Sequence, residues 1–244
     1  MEKLNLFCFP CAGGMSSMYS DWKSHLLPHI SIVSMELAGR GYRTTESLYS
    51  SFDELINDMF DRIQPYFENQ GDPYALFGHS MGASIIFELS HKLIQEGYKP
   101  PVHLFISSRR PPHHTRDALL HTLPDDQFLN ALQKLGGISE ILVSDESFLS
   151  YFLPILKSDI TNLESYNGGG EKPLLGCDIT VLMGEDESVF GEEIREWERY
   201  TQGETSLHTF PGGHFYLNSQ KQNLIAIINN TLMSAHTGEY VWIK

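Results

Sequence analysis

Positive charge is scarce in this sequence: 17 Lys+Arg stand against 31 Asp+Glu over 244 residues, a formal charge of −14. That balance argues against unassisted binding to nucleic acid or anionic lipid, both of which need a positive field. Cysteine is sparse too, with three residues. An odd, thin set does not suit a secreted disulfide scaffold and points to a reducing compartment. No apolar run approaches the ~18 residues that a membrane helix needs. The run 4–9 stops at Pro10 and is too short for a signal-peptide apolar region. Internal repeats and low-complexity tracts are missing as well. The expectation is a cytoplasmic chain with neither a nucleic-acid nor a membrane partner.

What is present suits a packed core: 41% of residues are hydrophobic and 20% charged. Strand-length runs at 4–9, 31–36, 73–79 and 102–107 alternate with helix-period segments, and the pattern resumes at 179–183, 205–210 and a last helix near 220–234. Ser51 and Glu54 form a capping box ahead of a helix carrying Phe52, Leu55, Ile56, Met59, Phe60 and Ile63. Strand–helix alternation predicts an α/β fold, because parallel strands need crossover connections. The interval from about 109 to 170 breaks the rhythm, with helical patterns near 125–135 and 147–157 and no comparable strand. It reads as a helical insertion over the carboxyl edge of the sheet, within one domain spanning 1–244.

Gly78-His79-Ser80-Met81-Gly82 is a G-x-S-x-G pentapeptide between an apolar strand and a helical run. Such a turn carries a serine at a strained apex, with small residues two positions to either side. A serine hydroxyl needs an imidazole to take its proton. Of eleven histidines, His214 is the candidate, since it lies in Pro211-Gly212-Gly213-His214-Phe215 between the last strand and the last helix. His79 is expected to pack beside the serine. His113 and His114 read as loop histidines without acidic or cysteine ligands at metal spacing, so no metal site is expected. The acid should follow the strand 179–183, where Glu185, Asp186 and Glu187 stand in a row. The D-x-x-V pattern favours Asp186, with Glu187 as the alternative. Backbone N–H groups of Met81 and of the glycine-rich loop 10–14, Ala12 ahead of Cys11, are candidate oxyanion donors. Cys8 and Cys11 spell C-x-x-C, yet further ligands are lacking and the spacing reads as chance.

FPCAGG at 9–14, ELAGRGYR at 36–43, FGHSMGA at 77–83, SSRRPPH at 107–113, LPDDQFL at 123–129, LGGI at 135–138, FLPILKSDI at 152–160 and FPGGHF at 210–215 follow one another in order. On these segments the chain resembles the type II thioesterases that accompany nonribosomal peptide and polyketide synthases. It departs at Ala38, where the family usually has proline, and at Glu187, where aspartate is usual.

The resemblance implies an α/β-hydrolase fold with a mostly parallel sheet, helices on both faces and a helical lid. It implies hydrolysis of stalled or wrongly primed acyl and aminoacyl groups from the phosphopantetheine arm of carrier domains, through an acyl-serine. No cofactor of its own is implied, and the expected state is a monomer. Phe128, Leu132, Phe148, Phe152, Leu153 and Leu156 either line an acyl pocket or simply pack. Arg109 and Arg110 are candidates for local carrier docking on an otherwise repulsive body. A stand-alone small-molecule esterase or acyltransferase would share the same triad, and a non-catalytic carrier-binding module would share the fold.

Overall fold

The apolar runs become six parallel strands: β1 (Leu4–Phe9), β2 (Ile30–Ser34), β3 (Tyr74–His79), β4 (His103–Ser107), β5 (Asp178–Gly184) and β6 (Thr205–Phe210). In the computed structural model, which describes residues 3–67, 73–114, 119–137, 145–166, 168, 170–187 and 191–237, they pair in the order β2-β1-β3-β4-β5-β6. All five strand pairings are parallel. Strand β3 is buried along its whole length, which explains its near-continuous apolar character: a parallel sheet is covered on both faces.

Helices α1 (Phe52–Ile63) and α2 (Met81–Gln95) cover one face, packing Leu55, Met59, Ile63, Ile85 and Leu89 against Phe7, Leu76 and Leu104. Tyr19, Trp22 and the last helix cover the other, with Leu224, Ile225, Ile228 and Leu232 against Leu6, Ala75 and Phe105. The cap of α1 forms in part as the sequence suggests, since Ser51 Oγ accepts from Glu54 N–H at 3.1 Å. The Glu54 carboxylate reaches Ser50 instead, taking both its N–H and its hydroxyl.

Two expected elements differ in extent or type. The stretch near 190–200 is a 3-10 helix, Gly191–Tyr200, which buries Ile194 and Trp197. Between β4 and β5 lie α3 (Asp125–Lys134) and α4 (Glu146–Ser165), and no strand is found there among the described residues. The periodicity ends that second helix near 157, whereas α4 runs eight residues further. Polar Asp159 and Asn162 lie in this extension, and both are buried and hydrogen-bonded, Asn162 donating to Tyr49 C=O at 3.0 Å. A polar residue satisfied in the interior breaks the apolar pattern without breaking the helix.

His103 is one of the buried histidines that make stability pH-dependent. His103 is 5% exposed, its Nε2 is 2.8 Å from Thr180 Oγ1, and burial pulls its pKa down to about 4, against a smaller opposing pull from Asp178. The fold therefore holds the neutral ring, and the unfolded chain binds the proton first. Stability is full above pH ~6.5 and falls as the pH drops toward 4. At pH 5 this group should cost about 2 kcal/mol. Denaturant titrations at pH 5 and pH 8 should show a loss of stability at the lower pH that is smaller in His103→Gln than in the wild type by about 2 kcal/mol.

Candidate active site

The carboxyl ends of β3, β5 and β6 bring the candidate site together. Ser80 follows β3 and stands at φ 55, ψ −112, a rare conformation for a residue with a Cβ, and caps the N-terminus of α2. Its N–H is tied to Ser107 C=O at 2.8 Å, pinning the turn to the end of β4. The flanking glycines are required by close approach. A Cβ on Gly78 would lie 2.2 Å from Gly82 C=O oxygen, and one on Gly82 would lie 2.2 Å from Phe9 C=O oxygen. No hydrogen bond among the described residues occupies the Ser80 hydroxyl, and the residue is partly open to solvent.

His214 follows β6, and its ring centroid lies 5.1 Å from that of His79, the neighbour of Ser80. Its Nδ1 bonds Glu187 Oε1 at 2.6 Å. Glu187 is 5% exposed, and its second oxygen accepts from Ser108 Oγ–H at 2.7 Å and Gly184 N–H at 2.9 Å. This corrects the D-x-x-V reading: Asp186 is exposed, while Glu187 meets the imidazole; Val189, the end of that pattern, lies outside the described residues. The cause is a turn closed by Glu187 N–H to Gly184 C=O at 3.1 Å. Its two central residues, Glu185 and Asp186, tip outward, and the fourth points back over the strand ends. Gly184 itself is pressed against the histidine loop, where a Cβ would lie 2.3 Å from Gly212 C=O oxygen.

His79 is fully buried, Nδ1 facing Ser107 Oγ at 2.9 Å, and Ser107 Oγ meets Tyr216 OH at 2.8 Å. Burial, then the adjacent His214, drives its pKa well below the ordinary value. A neutral ring at this point packs against His214 without repelling its charged form. Ser108, which the motifs do not single out, stands at φ 51, the second non-glycine positive φ among the described residues. Its hydroxyl holds the Glu187 carboxylate in place.

The loop after β1 has two N–H groups already engaged: Gly13 donates to Asp159 Oδ2 at 2.7 Å and Gly14 to Cys11 C=O at 2.9 Å. The N–H groups of Ala12 and Met81 have no hydrogen-bond partner among the described residues, as donors waiting for a substrate oxygen require. Asp159 is in turn gripped by Arg40, Nη1 to Oδ2 at 2.5 Å and Nη2 to Oδ1 at 2.7 Å, with the two side chains 0% and 1% exposed. This pair joins three segments, the glycine-rich loop, the loop 36–43 and α4. Breaking one half of a buried pair strands the other charge. Asp159→Ala is expected to lower unfolding stability by about 3–5 kcal/mol. The apolar double variant Arg40→Met/Asp159→Leu should recover most of that, and denaturant titration compares the two.

The cysteines make no redox or metal pair. Cys8, Cys11 and Cys177 are free and buried. Burial pushes the thiols of Cys11 and Cys177 up to about 12, so neither offers a thiolate.

Over the crevice, α3 and α4 close a third apolar cluster. Phe128, Leu132 and Leu156 are spent on packing within it, whereas Phe148, Phe152 and Leu153 remain half-buried. Phe148 and Phe152 stack at 4.9 Å, and Phe152 lies directly against Gly13 in the loop after β1. Arg110 is engaged by Glu193 at 3.3 Å, and Arg109 C=O accepts from Trp197 Nε1–H at 2.8 Å.

A family model described as the thioesterase domain matches residues 4–232. The chain is 36% identical over 226 residues to the gramicidin S biosynthesis protein GrsT of Aneurinibacillus migulanus, covering 91% of this chain and 86% of that one. It is 34% identical over 231 residues to the thioesterase PikA5 of Streptomyces venezuelae, covering 94% and 81%. Among solved structures it is similar to ClbQ from the colibactin NRPS/PKS pathway, with a TM-score of 0.91, 31% identity and coverage of 98% and 100%.

Proposed function

As a member of the thioesterase domain family, with the α/β-hydrolase fold and a hydrolase's action on thioesters, this chain, we propose, clears stalled or wrongly primed acyl and aminoacyl groups from the phosphopantetheine arms of nonribosomal peptide or polyketide carrier domains. The observation that carries the mechanistic part is the 2.6 Å bond between Glu187 and His214, whose ring lies 5.1 Å from that of His79, the neighbour of the strained Ser80. Relatives named for gramicidin S biosynthesis and for the colibactin NRPS/PKS pathway support the choice of partner.

In this reading Ser80 Oγ attacks the thioester carbonyl while His214 Nε2 takes its proton. Glu187 keeps the Nδ1–H tautomer and stabilises the imidazolium. The tetrahedral oxyanion is met by the N–H groups of Ala12 and Met81. Collapse breaks the C–S bond, the pantetheine sulfur leaves with the proton from His214, and an acyl-serine remains. Water, deprotonated by the same imidazole, then releases the acid and restores Ser80. No cofactor of the enzyme's own takes part, because the pantetheine arm belongs to the carrier.

The interval 109–170 acts as a lid on the single domain, and the acyl group lies against Phe148, Phe152 and Leu153. The enzyme works as a cytoplasmic monomer. With a net charge of −14, it docks its carrier through apolar contacts and local cations and not through long-range attraction.

The test is incubation with carrier protein loaded with a series of acyl groups, reading release by mass, beside the matching small-molecule esters. Faster release from the carrier than from the free ester, across several short acyl groups, is the expected result. Equal turnover on both would favour a stand-alone esterase and overturn the carrier assignment.

A further inference from the structure

His113 and His114 look isolated in the sequence, and the fold supplies the acids that they lack. The 3-10 helix Gly191–Tyr200 presents Glu193 and Glu196 to them from about eighty residues downstream. At three residues per turn, positions i and i+3 of such a helix share one face, so both carboxylates point the same way. His113 Nε2 lies 2.9 Å and His114 Nε2 3.6 Å from one oxygen of Glu196, Oε2. The three ligand atoms all fall within 4.8 Å of one another. These separations bracket about 3.4 Å, the edge of a tetrahedron whose corners sit ~2.05 Å from a zinc ion.

The remaining ring nitrogens are arranged as in a metal site. His113 Nδ1 meets Tyr200 OH at 2.6 Å, and His114 Nδ1 faces Glu193 Oε2 at 3.6 Å. A partner on Nδ1 turns the Nε2 lone pair toward the centre, the usual arrangement behind a metal-bound histidine. His114 Nε2 is buried and has no hydrogen-bond partner, and Glu196 Oε2 lies 3.6 Å from it. Two local cations must be accounted for. Arg110 Nε lies 3.3 Å from Oε2 of the neighbouring Glu193. Arg199 reaches Glu196 Oε2 at 2.9 Å, but its side chain is 64% exposed and can swing into water.

We propose that His113, His114 and Glu196 form a site for a zinc-class divalent cation. Two imidazoles and a carboxylate suit zinc or its first-row neighbours, not calcium or magnesium, which prefer all-oxygen shells. The fourth position goes to water. Occupancy clips the start of the β4–β5 interval to the helix that follows the acid loop. That seam is already held by the Trp197–Arg109 hydrogen bond. The bound ion is structural: none of these residues belongs to the triad or the oxyanion loop.

The experiment titrates metal-free full-length chain with zinc chloride by calorimetry and repeats the titration with cobalt(II), following visible absorption. One equivalent should bind with a Kd at or below about 10 μM, raise the melting temperature and give the intense bands of four-coordinate cobalt. His113→Ala/His114→Ala should weaken binding at least about 100-fold, and the isosteric Glu196→Gln, which cannot disturb the fold through lost volume, should weaken it about 10-fold or more. No stoichiometric binding up to 100-fold above protein, on the order of millimolar metal, would overturn the proposal. So would full affinity in both variants, because the metal would then sit elsewhere, for instance at His214 and Glu187.

Discussion

Ser80→Ala should lower kcat on an acyl-carrier thioester by about 10⁶-fold, leaving only the background that binding and the oxyanion donors give. In the proposed mechanism this hydroxyl forms the covalent bond to the acyl group. Cys11, the thiol within the glycine-rich loop 10–14, is buried with its pKa pushed up to about 12. Folding should not suffer. Alanine keeps the Cβ and hence the strain at φ 55, so its melting temperature should stay near that of the wild type. Ser80→Gly removes the strain and should be more stable by about 1 kcal/mol while equally inactive. A fluorophosphonate probe should label the wild type once and neither variant. A Ser80→Ala enzyme retaining more than about a thousandth of wild-type kcat would take the nucleophile's role away from this residue.

Glu187→Gln should lower kcat by about 10⁴-fold, with Asp186→Asn close to neutral. In the variant, the amide oxygen can take over the bonds from Ser108 Oγ–H and Gly184 N–H. Its NH₂ then faces His214 Nδ1, across the 2.6 Å contact that Glu187 Oε1 now makes. Two donors cannot meet there, so Nδ1 becomes the acceptor and the proton moves to Nε2. An imidazole protonated at Nε2 cannot accept the Ser80 proton. Asp186 lies at the exposed tip of the turn, where a single charge is screened within about 8–10 Å. Paired kcat measurements on the two variants decide the acid, and a large loss in Asp186→Asn with activity kept in Glu187→Gln would reverse the assignment.

Much of this architecture was legible in the residues themselves. Alternating strand and helix periods give the parallel sheet and the order of its covering helices. The pentapeptide at 78–82 and the glycines before His214 mark the two loops that meet, because each needs a backbone shape that few residues allow. The end of α4 was not legible, since Asp159 and Asn162 look like surface residues until their partners are known. Nor did the sequence divide the apolar residues of α3 and α4: Phe128, Leu132 and Leu156 and the half-buried Phe148, Phe152 and Leu153 share the same helical spacing.

The sequence by itself determined the parallel sheet and marked the sharp turn at Ser80 and the glycine-flanked His214 as candidates, all of which depend on neighbours within a few positions. Only the tertiary structure decided which carboxylate faces the imidazole, since Asp186 and Glu187 differ by one place in a turn whose closure sets their directions. It alone joined Arg40 to Asp159 across 119 positions and His113 to Glu196 across 83. Pairings at such separations leave no local pattern, because they depend on where the folded sheet carries each loop and not on the residues beside it.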